Sequence, residues 1–251
     1  LENNDAGYRR NAGTVLKNER TGEVVYTPPQ DHPTIQKLMD NLVHFMNDEE
    51  MSGIDALIKM AIIHHRFETI HPFYDGNGRT GRIINILYLV KEDLLTLPIL
   101  YLSRYIIQYK GDYYRLLQQV REDGDWEPWI IFILKGVEET SKQTLHLIDG
   151  IKRLMQTYKN RIRSEFPKIY SQDLLNNLFK HPYTKIEFLE QDIKVTRQTA
   201  ATYLNKLAEA GLLVKIKIGK SNFYINDPLY NLFSEGVPPA QSVEPITTIT
   251  T

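Results

Sequence analysis

The stretch His71-Pro72-Phe73-Tyr74-Asp75-Gly76-Asn77-Gly78-Arg79-Thr80-Gly81-Arg82 constrains this chain more than any other. Two close glycines sit between a histidine and a pair of arginines. The apolar residues Ile83, Ile84, Ile86, Leu87, Leu89 and Val90 follow directly. The spacing predicts a tight turn that opens a helix over Arg79–Val90, apolar on most sides and therefore central in a bundle. Backbone N–H groups at a helix start have no partner within the helix, and the helix dipole favours an anion there. Gly76 and Gly78 let the backbone approach a ligand closely. Arg79 and Arg82, three apart, both project from the first turn, and guanidinium forks match phosphate oxygens in charge and shape. The stretch reads as a phosphate cradle with a histidine and a carboxylate at its rim.

Gly76 to Gly81 also spells G-x-G-x-x-G, the dinucleotide fingerprint, which requires a preceding strand. Here Ile54, Leu57, Ile58, Ala61 and Ile62 precede it at helical spacing, which argues against that reading. A zinc site built from His44, His64, His65 and His71 is disfavoured as well, because the spacing is not H-E-x-x-H and the chain has no cysteine.

His71 to Arg82 matches the pattern H-P-F-x-D/E-G-N-x-R-x-x-R at every fixed position, and in this the chain resembles the Fic family. The likeness runs from about Gly22 to about Thr140, the size of a whole Fic domain. Fic proteins mostly transfer AMP from ATP to a hydroxyl side chain of a target protein; transfer of another phosphate-containing group, and a DNA-binding regulator whose Fic domain only senses nucleotide, are the alternatives. The resemblance implies a mainly α fold, a helical bundle with a small β-hairpin flap, with ATP as substrate and Mg²⁺ as cofactor. It assigns His71 as general base, a role suited to an imidazole that titrates near neutrality; core packing is the alternative. Asp75 is the expected Mg²⁺ ligand, although an Asp there also suits a helix cap. Nucleotide contacts are expected from Asp75, Gly76, Asn77, Gly78, Arg79, Thr80, Gly81 and Arg82. Tyr113, Tyr114 and Arg121 are candidates beside the adenine and ribose, with aromatic core packing as the competing role for either tyrosine.

Upstream, Asn18 to Gly22 is turn-prone and Glu23 to Thr27 is β-rich, so a hairpin is expected over about 18–30. In the family this hairpin is a flap that holds the target by strand addition, which implies that role for Val24, Val25 and Tyr26; simple cover for the core is the alternative. Helices are expected over Pro33–Asn47 (Ile35, Leu38, Met39, Leu42 and Met46 inward), from Ile54 to about Thr69, from Ser103, from Gly111, and from Asp125 onward through Met155. Many Fic proteins are restrained by a helix bearing S/T-x-x-x-E-G/N. No such pattern occurs in these 251 residues. Restraint is expected from a segment before Leu1, from a partner, or not at all. The opening residues Leu1 to Asp5 read as mid-chain sequence.

A second unit is expected over 165–232, after a first over 1–160. Helices around Leu174–Leu178, Lys185–Gln191 and Thr196–Ala210 precede two strands flanking Gly219-Lys220, a pattern resembling a winged helix-turn-helix domain. Its third helix would offer Arg197, Gln198, Thr199, Thr202 and Lys206 to a DNA groove, and Lys215, Lys217 and Lys220 would make the wing basic. From Glu165 to Tyr230 there are nine Lys/Arg against seven Asp/Glu, so DNA and protein remain equal as partners. A flexible tail is expected over 233–251. The formal net charge of −1 gives no overall pull toward nucleic acid or anionic membrane. No apolar run is long enough to span a bilayer and no signal segment opens the chain, so a cytoplasmic location without membrane contact is expected.

Overall fold

A computed structural model describes residues 7–18, 21–48, 53–234 and 248–250. Leu1 to Asp5 and residues 19–20 of the expected hairpin lie outside the described residues. The chain is mainly helical with small antiparallel sheets, as expected. β1 (Thr14–Lys17) and β2 (Val24–Tyr26) pair antiparallel, Leu16 opposite Tyr26 and Lys17 opposite Val24. α1 (His32–Asn47) starts where the Asp31 carboxylate accepts the Thr34 N–H at 2.9 Å, with Pro33 in its first turn. It buries Ile35, Met39 and Leu42, whereas Leu38, expected inward, is exposed. α2 (Ala56–Ile70) starts in the same way, with Asp55 accepting the Leu57 N–H at 2.8 Å.

α3 (Asn77–Lys91) begins two residues earlier than the expected start at Arg79, because Gly76 takes a left-handed φ of 81° and turns the chain into the helix. The centre of the bundle is α2, not the motif helix. α2 buries Met60, Ala61, Ile63, His64, His65, Phe67, Glu68 and Ile70, while α3 turns Asn77, Gly81, Asn85, Tyr88 and Leu89 inward and leaves Ile83 and Leu87 exposed. The apolar count along α3 overstated its burial, since Ile83 and Leu87, four apart, share one solvent face.

α4 (Leu102–Gln108), α5 (Lys110–Asp123) and α6 (Trp126–Glu165) complete the bundle. α4 begins at Leu102, one residue before the expected start at Ser103, and no side chain caps it. Trp129 of α6 is fully buried and donates its indole N–H to the Ala61 carbonyl at 2.9 Å, which fixes α6 on α2. His64 stacks on the same indole and meets the Tyr113 hydroxyl at 3.0 Å, and His65 meets the Leu117 carbonyl at 3.1 Å. Both are hydrogen-bonded core histidines.

α6 is continuous over 40 residues. One compact unit runs to Thr144 and a second begins at Leu145. The second contains the end of α6, α7 (Gln172–Lys180), β3 (Tyr183–Thr184), α8 (Ile186–Ile193), α9 (Arg197–Glu209), β4 (Val214–Ile218), β5 (Ser221–Ile225) and α10 (Asp227–Ser234). Its sheet has the order β3-β5-β4, with Ile216 opposite Phe223. Ser171 and Thr196 cap α7 and α9, and Gly211 ends α9 in the left-handed region. Tyr158 of α6 donates to the Leu212 carbonyl at 2.6 Å, building that end of α6 into this core. The tail was expected to start at 233, but α10 runs to Ser234 and buries Leu229; 235–247 lie outside the described residues. A last strand, β6 (Thr248–Thr250), pairs antiparallel with β1.

Candidate active site at the start of α3

Where α2 ends, His71 takes a left-handed conformation, φ 50°, and its N–H closes on the Phe67 carbonyl at 3.0 Å. The bend buries the imidazole, which is 6% exposed, with the Glu68 backbone carbonyl the group that favours its protonated form. Burial drives the ring down to about 4, and the Arg9 and Arg121 guanidinium groups push the same way. At neutral pH the ring is therefore uncharged, the form that accepts a proton.

The loop from Phe73 to Gly76 is held by Asn77. Its side-chain oxygen accepts the Phe73 N–H at 2.9 Å and its amide donates to the Phe73 carbonyl at 2.8 Å. The buried Asn77 side chain is thus committed to the loop, and a ligand is left its backbone N–H. No side chain caps α3, so the N–H groups of the first turn open outward. Asp75 is exposed; it accepts the Gly76 N–H at 2.6 Å and pairs with Arg79 at 3.0 Å. Thr80 donates its N–H to the Gly76 carbonyl at 2.9 Å, within the turn. Gly81 faces α2: a Cβ there would sit 2.8 Å from Glu68 Oε1 and 3.2 Å from Phe67. It sets the approach of α3 to α2. Arg82 bends back toward Gly78, whose Cβ would lie 3.2 Å from Arg82 Nη1.

Tyr113 is buried in the core with its hydroxyl on His64. Tyr114 is exposed and packs edge-on against Tyr113. Arg121 runs beneath the hairpin. It donates from Nε to Thr69 Oγ1 at 3.1 Å and from Nη2 to the Glu68 carbonyl at 3.3 Å, and lies 3.6 Å from the centre of the Tyr26 ring. The Tyr26 hydroxyl donates to the Thr69 carbonyl at 2.9 Å, which docks β2 beside the end of α2, while Val24 and Val25 face solvent.

Two residues absent from the sequence reading belong to this site. Glu68 is buried one turn before His71, with Oε1 unpartnered among the described residues; burial lifts its carboxyl to about 7 against the pull of Arg82 and Arg121. Its place three residues before His71, on the inward face of a helix, was the available signal. Arg9 is fully buried against the His71 bend, and its polar lead-in segment gave no such signal.

Residues 3–89 match the Fic/DOC family, and residues 154–229 match the C-terminal domain of SoFic-like protein adenylyltransferases. The chain carries a Fic domain of the Fic/DOC family followed by a SoFic-like C-terminal domain. It is 30% identical over 115 residues to the protein adenylyltransferase fic-1 of Caenorhabditis elegans, which covers 45% of this chain and 21% of that protein. It is 37% identical over 81 residues to a probable protein adenylyltransferase of Aquifex aeolicus, 32% of this chain and 24% of that one. The chain thus spans under a quarter of the length of these relatives. A Fic family protein from Desulfovibrio desulfuricans G20 shares the fold, with a TM-score of 0.50 and 21% identity over 87% of this chain and 62% of that one.

Proposed function

We propose that the first unit transfers AMP from ATP to a Ser, Thr or Tyr hydroxyl of a protein, its own chain included. One observation carries the reading: a buried, neutral imidazole stands beside a helix start that no side chain caps, with Arg79 in its first turn and Arg82 in its second. The named activities of the relatives support it. In this reading the hydroxyl loses its proton to His71 as its oxygen attacks the α-phosphorus, and pyrophosphate leaves. The N–H groups of Asn77 and Gly78 and the two guanidinium groups balance the charge on the phosphates.

The residues fit Mg²⁺, which takes one or two carboxylates with phosphate oxygens and water. Asp75 supplies an exposed carboxylate at the cradle and would hold the ion, and Arg79, now paired with Asp75, would turn to phosphate. Bound there, Mg²⁺ supplies charge neutralisation to the phosphates. Val24 and Val25 are the target-docking positions of this reading, and restraint by a partner or by another segment belongs to it as well. So does a cytoplasmic location, where ATP is supplied.

Mass spectrometry after incubation with ATP and Mg²⁺ tests the proposal. A gain of one AMP on a protein, lost in His71→Ala, is the expected result. No gain on any protein, with ATP bound, overturns it. Asp75→Ala is expected to abolish the Mg²⁺ dependence of nucleotide binding.

We read the second unit as a winged-helix module. Arg197, Gln198, Thr202 and Lys206 are exposed along α9, while Thr199 is half-buried with its hydroxyl on Thr196 at 2.9 Å. Lys217 and Lys220 are exposed, and Lys215 is engaged with Asn205 at 2.8 Å. A salt-dependent mobility shift with random duplex DNA favours DNA over protein as partner.

A further inference from the structure

We infer that Arg9 is a positioning residue for the transfer reaction: it ties the bend that presents His71 to the root of the β1–β2 hairpin. The inference rests on the activity proposed above.

Arg9 is 0% exposed, and its partners are backbone carbonyls on both sides of the site. Its Nε–H donates to the His71 carbonyl at 2.9 Å and its backbone N–H to the Pro72 carbonyl at 2.8 Å. Its Nη2 reaches the Ile70 carbonyl at 3.5 Å and also the carbonyl of Pro29, which lies between β2 and α1. The Arg9 carbonyl meets His32 Nδ1 at 3.2 Å, at the start of α1. Neighbouring residues extend the strap over the motif loop. Tyr8 packs on Phe73 with ring centres 5.9 Å apart, and the Arg10 and Asn11 N–H groups donate to the Tyr74 hydroxyl at 2.9 and 3.0 Å.

The bend needs such a restraint. His71 has φ 50°, a region unfavourable for a residue with a Cβ. A planar fork with donors fixed in direction holds the carbonyls of consecutive residues where the left-handed turn puts them. The same fork reaches Pro29, so the hairpin that receives the target and the base that deprotonates it share one anchor. None of these Arg9 contacts touches residues 75–82. Loss of Arg9 therefore acts on the chemical step and leaves nucleotide binding intact.

The test compares Arg9→Met and Arg9→Lys with the wild type in stability, ATP affinity, kcat for AMP transfer and the NMR signals of the His71 ring. In Arg9→Met kcat is expected to fall about 100-fold, the scale on which a small misplacement of a reacting group acts, with ATP affinity unchanged. Arg9→Lys keeps the charge but lacks the fork, so stability returns while kcat stays low and the His71 ring signals stay shifted. If Arg9→Met does not fold, Tyr74→Phe releases the Arg10 and Asn11 anchors instead. It should speed amide exchange at His71 and lower kcat by a smaller factor. Wild-type kcat and unshifted ring signals in a folded Arg9→Lys overturn the inference. A wild type that binds ATP and transfers no AMP overturns the activity instead, and the ring signals and amide exchange then still decide whether Arg9 holds the bend.

Discussion

The His71 imidazole can act as a base only in its neutral form, and burial has already secured that form by holding the ring at about 4. The sign follows directly: protonation, not deprotonation, is what costs activity. The kcat/KM profile for the target should rise through a midpoint at about 4 and stay flat across neutrality, where an unperturbed ring would give 6.5. A midpoint near the unperturbed value would mean that the ring is solvated in the free enzyme. Glu68 has the opposite perturbation. Its folded value of about 7 stands above the ordinary 4.5, so the native state holds a proton that the unfolded chain has lost, and stability falls as pH rises from 4.5 through 7. Glu68→Gln removes that penalty. The variant should be more stable by roughly 3 kcal/mol above pH 7 and no more stable below pH 4.5, measured by denaturant melts at both ends. Of these two groups only His71 was legible in the sequence, because it opens a fixed string. A buried carboxylate inside a helix looks like any surface glutamate until the facing helix is in place.

At the scale of elements, α2 and α3 approach closely because Gly81 has no side chain. A methyl group there would press on Glu68 Oε1 at 2.8 Å, Phe67 at 3.2 Å and His64 at 3.3 Å. The carboxylate and the two rings are themselves buried and have little room to yield. Gly81→Ala should destabilise the first unit by about 1–3 kcal/mol and lower ATP affinity, because it moves the helix start that carries the cradle. Gly136 plays the same part for α6, where a Cβ would fall 2.6 Å from the Tyr105 ring and 3.0 Å from Leu102. Gly136→Ala should lower the melting temperature in the same way without changing ATP affinity once folded, and paired melts and binding isotherms separate the two. Periodicity located most of these helices, since Ile35, Met39 and Leu42 or Leu174 and Leu178 repeat at the helical spacing. It did not locate β3, whose two residues are too short for a pattern, nor the inward face of α3, which is built from Asn77, Gly81 and Asn85 where an apolar stripe was sought.

Over the whole molecule the decisive element is α6, which serves two cores. Its first part places Trp129 and Ile133 in the cluster around α2, and its last part places Tyr158 and Ile162 in the cluster around α7 and α9. Between Thr140 and Tyr158 no residue of α6 is fully buried, and the second core reaches back along the helix only through the half-buried Leu154 and Met155. Single-sequence reading could see apolar positions along this whole segment, but it could not say which of two cores each one serves. Two cores built from separate sets of residues are separate cooperative units, so unfolding should proceed in two steps. Calorimetry should resolve two transitions. ATP with Mg²⁺ at about 100 times its Kd should raise only the transition of the first unit, by roughly 2.7 kcal/mol. Leu204→Ala, which opens a cavity under α9, should lower only the other, by about 2–5 kcal/mol. A single transition that both ATP and Leu204→Ala displace would mean that the two cores unfold as one cooperative unit, and the second unit would then report on nucleotide occupancy of the first.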